Sequence, residues 1–69
     1  MDFKYYIGKR VFVKTQTNRV YAGEVLEVNF IGQNSFGAEI YLITLRDKYN
    51  SLVCFHNNEI RFIEEEKGK

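Results

Sequence analysis

The sequence predicts an all-β fold: a five-stranded, strongly bent antiparallel small barrel, preceded by a short N-terminal helical turn. Three observations carry that expectation. Short β-branched and aromatic runs recur along the chain, separated by polar segments with Asn, Asp, Ser or Gly. No stretch keeps a 3.6-residue apolar period over three turns. The chain has only 69 residues, too few for a large sandwich, so one sheet bent sharply on itself is the economical way to bury an apolar face.

The elements follow in order. "DFKYYIG" is the one helical candidate, with Asp2 as N-cap and Gly8 closing one or two turns. "KRVFVKT" is the first strand, with Val11 and Val13 on one face and Phe12 on the other. "TQTNR" is a tight polar turn. "RVYAGEVLEVNF" is a longer second strand, in which Gly23 marks a bend, a bulge or a close backbone approach. "IGQNSFGAE" carries Gly, Asn and Ser and reads as a loop. "IYLITLRD" is the third strand, apolar enough to be buried on both faces over part of its length. "DKYN" is a turn with Asn50 suited to positive φ. "SLVCF" is the fourth strand, "HNN" a very short connection and "EIRFIEE" the fifth strand.

Composition bounds the class. One domain, residues 1–69, is all this length allows. The 45% hydrophobic content is that of a globular chain, and five Tyr with six Phe help a short chain fill its core. A single cysteine permits no intrachain disulfide and suits a reducing compartment. The N-terminus lacks a secretory apolar region, and no apolar run is long enough to span a membrane. A cytoplasmic protein is expected. The net charge of +1 does not by itself argue for nucleic acid. Cations are nevertheless concentrated in the first twenty residues, and Glu64 to Glu66 open a solvated acidic and basic tail from about residue 65.

Two segments resemble the signatures of the Sm-like family of small β-barrels. In "YAGEVLEVN", Tyr21, Gly23, Val25 and Asn29 occupy the places of the first signature. In "FHNNEIRFI", Phe55, Ile60 and Ile63 match the apolar frame of the second. The order also fits, and the resemblance covers about residues 3 to 65. It implies a ring-forming homo-oligomer, assembled by pairing the fourth strand of one subunit with the fifth of the next, that binds single-stranded RNA through loop residues. The chain departs from the family pattern at three places. Asn29 stands at the acidic position. Tyr41 and Leu42 stand where the family has Met and a uracil-holding Asn. His56 and Asn57 replace an Arg-Gly pair.

The candidate binding residues are His56, Asn57, Asn58, Asn29, Phe36 and Tyr41. His56, the only histidine, can stack on a base or donate a hydrogen bond to it, or simply face solvent at a turn. Asn57 and Asn58 carry amides that read base edges, and they are also good turn formers. Phe36, in the long loop, offers a stacking platform or an anchor for a protein partner; Phe30, Ile31 or Phe36 could instead cap the barrel end. Tyr5 and Tyr6 are expected to pack the helical turn on the barrel mouth. Arg46 and Lys48 are candidates for phosphate contact, with scattered surface cations as the ordinary reading. Cys54 reads as a small buried apolar residue. No catalytic constellation, metal-ligand set or cofactor motif is recognisable. The alternative function is a protein-interaction module that uses the long loop or an open strand edge, without nucleic acid.

Overall fold

The computed structural model describes residues 2–67. The chain forms five antiparallel strands in one sheet: β1 (Arg10–Thr15), β2 (Val20–Gln33), β3 (Glu39–Arg46), β4 (Leu52–His56) and β5 (Ile60–Glu65). A 3-10 helix at Phe3–Tyr6 precedes β1, and a second one at Asn57–Glu59 links β4 to β5. The sheet order is β4-β3-β2-β1-β5.

Alternation sets the core. Val11 and Val13 of β1 point inward and are fully buried, while Phe12 between them faces out. Val25 and Val28 of β2, Ile43 and Leu45 of β3, Phe55 of β4, and Ile60 and Ile63 of β5 complete the cluster. Thr44 is also buried, so β3 runs three consecutive buried residues at the centre of the sheet, as its apolar sequence predicts. Cys54 is exposed instead of buried, because Val53 and Phe55 on either side of it take the inward positions of β4.

β2 is the pivot of the sheet. Its first half pairs with β1, from Val20 opposite Lys14 to Glu24 opposite Arg10. Its second half pairs with β3, from Glu24 opposite Arg46 to Gln33 opposite Glu39. Gly23 makes the change of direction possible. A Cβ at this position would lie 2.5 Å from the carbonyl oxygen of Arg46, so the backbones approach closer than any other residue allows. The register slips after Val25 and again after Phe30, two irregularities that bend and twist the strand further. The result is a curled sheet. Tyr21 near the start of β2 meets Phe55 of β4, two strands away, in an edge-to-face contact with centroids 5.0 Å apart.

The curl does not close the ladder into a barrel by pairing. β4 and β5 are its two edges. Both run in the same sense, since each is separated from β2 by one intervening strand in an antiparallel ladder. A parallel pair needs a crossover of about a dozen residues, and the three-residue helix Asn57–Glu59 cannot supply it. It redirects the chain so that β5 runs beside β1.

Two further expectations are altered by the structure. The segment predicted as a long loop from Ile31 to Glu39 is strand at both ends. β2 continues to Gln33 and β3 begins at Glu39, leaving a five-residue tip. Asn34 builds that tip, its Oδ1 accepting from the backbone N–H groups of Phe36 and Ala38. The N-terminal turn is a four-residue 3-10 helix, capped by Asp2 as predicted, with Asp2 Oδ1 accepting from the Lys4 N–H at 3.0 Å. The acidic run does not begin as a free tail. Glu64 and Glu65 belong to β5, and Glu66 donates its N–H to the Arg10 carbonyl and pairs with the Arg10 guanidinium at 3.2 Å. Lys69 of that tail lies outside the described residues. Asn18 and Asn50 both adopt φ of 67° at their turns.

Candidate functional site

The six predicted site residues divide into three places. His56 ends β4, and its backbone N–H donates to Glu59 Oε1 at 2.8 Å. The same carboxylate lies 3.8 Å from His56 Nδ1, so Glu59 fastens the backbone of His56 and lies beside its ring at the mouth of the turn. The histidine side chain stays about half exposed. It sits opposite Leu42 of β3, and Leu42 sits opposite Asn29 of β2. Directly opposed residues share a face, so Asn29, Leu42 and His56 form one row across the outer side of three strands. At the usual strand spacing, Asn29 and His56 are about 10 Å apart.

Beside this row lies a pocket of about 310 Å3 lined by Ile31, Gly32, Gln33, Ile40, His56 and Asn58. Its walls are two isoleucines and an imidazole; its polar groups are the amides of Gln33 and Asn58. Flat apolar faces with a few amide donors and acceptors at the rim suit a planar, hydrogen-bonding ring. The pocket exists because β2 extends past Phe30, which brings Ile31 and Gly32 alongside Ile40 and the end of β4.

Asn57 does different work. Its Oδ1 accepts from the Tyr41 N–H at 3.0 Å, and its Nδ2 donates to the Glu39 carbonyl at 3.2 Å. Both ends of the amide are spent on the first residues of β3, fastening the turn that carries His56 and Asn58 to the sheet. Tyr41 lies on the opposite face, packed against the core and edge-to-face on Phe30 at 5.5 Å. Its hydroxyl donates to Glu39 Oε1 at 2.7 Å. That hydrogen bond to a carboxylate, with some desolvation and the nearby charges of Glu39 and Asp2, raises the phenol pKa above its ordinary value. Tyr41 and Glu39, with Asp2, Phe3, Lys4 and Val28, line a separate pocket of about 490 Å3. Phe36 stands apart from both, at the tip of the β2–β3 hairpin and 92% exposed. Phe30 and Ile31, predicted as possible caps of the barrel end, are both more than half exposed.

The remaining candidates have local partners. Arg46 pairs with Glu24 at 3.0 Å, directly across β2 and β3. Lys48 lies over the ring of its neighbour Tyr49. Tyr6 packs against the core, and Tyr5 stacks edge-on against it and donates to Glu65. Among the described residues no group of three or more His, Cys, Asp or Glu side chains is placed to hold a metal ion.

Sequence reasoning missed two features. Glu59 is the first. Its spacing of three from His56 follows the pattern by which an acidic side chain reaches back to a cap N–H, a signal present in "HNNE". The second is a groove of about 490 Å3 that runs beneath β4, between Val53–Phe55 and the Thr15–Arg19 turn, with Tyr21 and Glu59 in its walls. It is assembled from four separate stretches of chain, so no local pattern announces it. Compared with known proteins, the chain matches no family model, no curated protein and no solved structure.

Proposed function

We propose that this chain is an Sm-like small-barrel subunit that forms a homo-oligomeric ring through β4 and β5 and binds single-stranded RNA around the turn that joins them. The observation that carries the reading is the pair of open edges. β4 and β5 are the two strands left with one neighbour each, and they are the two that the ring reading requires to be free. β4, with sequence LVCFH, contains no Lys, Asp, Glu or Pro to discourage pairing. β5 carries Arg61, Glu64 and Glu65. An apolar edge meeting a different, charged edge is a heterologous contact, which closes into a ring when the rotation per subunit allows it. The barrel is then completed by neighbours, each covering an edge that its own chain leaves open.

RNA recognition is assigned to His56 and Asn58 in the pocket bounded by Ile31 and Ile40, with Asn29 in the adjoining row. His56 stacks on or hydrogen-bonds a base, and the Asn58 amide reads its edge. Phe36, fully displayed on the hairpin tip, stacks a second base. Weak contacts repeated around a ring add by avidity. The role is binding rather than catalysis. An exposed, unpaired thiol at Cys54 suits the reducing cytoplasm; no helix of the described residues is long and apolar enough to cross a membrane.

A protein-interaction module is the second reading. The near-neutral charge and the isolated exposure of Phe36 favour it. Fluorescence anisotropy with labelled oligouridine separates the two. His56→Ala is expected to weaken binding about tenfold, the scale of one lost base contact. No binding by the unmodified chain at low salt overturns the RNA reading.

A further inference from the structure

The outer face of β5, β1 and β2 carries an arrangement that neither RNA nor edge pairing uses. Phe12 lies opposite Glu64 of β5 and Ala22 of β2, and Lys14 lies opposite Phe62 of β5 and Val20 of β2. All six point outward, because Val11, Val13 and Ile63 beside them take the buried face. Phe12 is 40% exposed, Phe62 46% and Val20 63%. Two phenylalanines and a valine grouped on a solvated sheet face are an apolar patch of the kind that marks an interaction site.

The charges identify the occupant. Phe12 and Phe62 sit on one diagonal of a square, and Lys14 and Glu64 sit on the other. Arg10 and Glu24 on the same face are each paired within the chain, with Glu66 and Arg46. Lys14 and Glu64 have no such ion pair among the described residues.

We propose that this face is a self-complementary dimer surface whose occupant is the same face of a second copy of this chain. A two-fold axis lying in the contact plane along the Phe12–Phe62 diagonal places each phenylalanine on its own counterpart. The same axis sets each Lys14 over the partner's Glu64. Every element of the square is then matched, as an isologous interface requires, and because the axis runs oblique to the strands the two sheet faces cross steeply, in the orthogonal manner of stacked sheets. A surface of one charge sign, such as an anionic membrane, satisfies Lys14 and repels Glu64. The contact uses outward side chains and leaves the backbone edges of β4 and β5 unpaired, so it stands apart from the ring reading and doubles whatever the edges build.

Charge exchange tests it. Sedimentation velocity and native mass spectrometry of the full chain are run on the unmodified protein, on Lys14→Glu, on Glu64→Lys and on the double exchange. Melting by circular dichroism checks that each surface variant folds. Each single reversal sets like charges against each other twice and is expected to halve the mass of the assembled species; the double exchange restores it. An unmodified chain that shows no even-numbered assembly overturns the proposal. So does a mass indifferent to the single reversals, or one the double exchange fails to restore. Cys54→Lys on the β4 edge separates the two interfaces. Loss of the ring with a persisting dimer supports this face, and a ring indifferent to Lys14 and Glu64 overturns the face while leaving the ring reading intact.

Discussion

At the residue scale, one missing side chain sets the bend of the sheet, and Asn57, Asn58 and Tyr41 each carry a separable effect. Gly23 is the missing one. With a Cβ only 2.5 Å from the Arg46 carbonyl oxygen, Gly23→Ala forces backbone against backbone, and a loss of about 2 kcal/mol or more is expected in urea denaturation. Asn57 is the pin. Asn57→Ala removes both hydrogen bonds to the start of β3 and is expected to cost about 1–3 kcal/mol. It also weakens ligand binding indirectly, by releasing the turn that carries His56. Asn58→Ala, at an exposed amide that makes no backbone hydrogen bond among the described residues, is expected to leave stability unchanged and to lower affinity alone. Tyr41 gives a pH signature. Its folded pKa is raised by the hydrogen bond to Glu39, so its contribution is intact below the unfolded tyrosine value of about 10. It is lost as pH rises through the folded value. Tyr41→Phe removes that alkaline loss, which thermal melts across the same range detect.

At the element scale, the strands were legible where alternation was clean and obscured where Gly and Asn interrupted it. Val11, Phe12 and Val13 announce their faces in the sequence, and the curl of β2 is announced by Gly23. The extension of β2 to Gln33 is not. Gly32, Asn34, Ser35 and Gly37 carry the composition of a loop, yet Gly32 at φ 143° lies beside a register slip through which the ladder continues. The sequence therefore hid the Ile31–Ile40 wall of the pocket. It also made Asn57 look like a base-reading residue, since an amide spent on a distant backbone has no local sequence signal. The family resemblance groups Tyr41 with His56, whereas the two-residue period of β3 puts it on the other face. His56 and Asn58 were legible because they sit in the turn that the sequence marks. The hairpin tip carries its own expectation. Replacing residues 34–38 by a two-residue Asn-Gly turn keeps the core cluster, none of which lies in that segment. The shortened chain melts normally and loses the affinity that Phe36 supplies.

At the scale of the whole molecule, the chain is a curled sheet with two unlike edges held three residues apart by the helix Asn57–Glu59. Unpaired edges on an otherwise satisfied fold invite another chain, and here each edge offers what the other lacks. A charge on the apolar edge should prevent the match: Cys54→Lys, on an exposed side chain, is expected to leave the fold intact and the assembly broken. Salt should separate the two kinds of contact, weakening RNA binding steeply through counterion release while sparing main-chain pairing. The central claim joins assembly to ligand, and one measurement addresses both: native mass spectrometry of the chain with and without a short oligouridine. The account expects a closed ring of several subunits that gains the mass of the RNA. A monomer that ignores the RNA contradicts it.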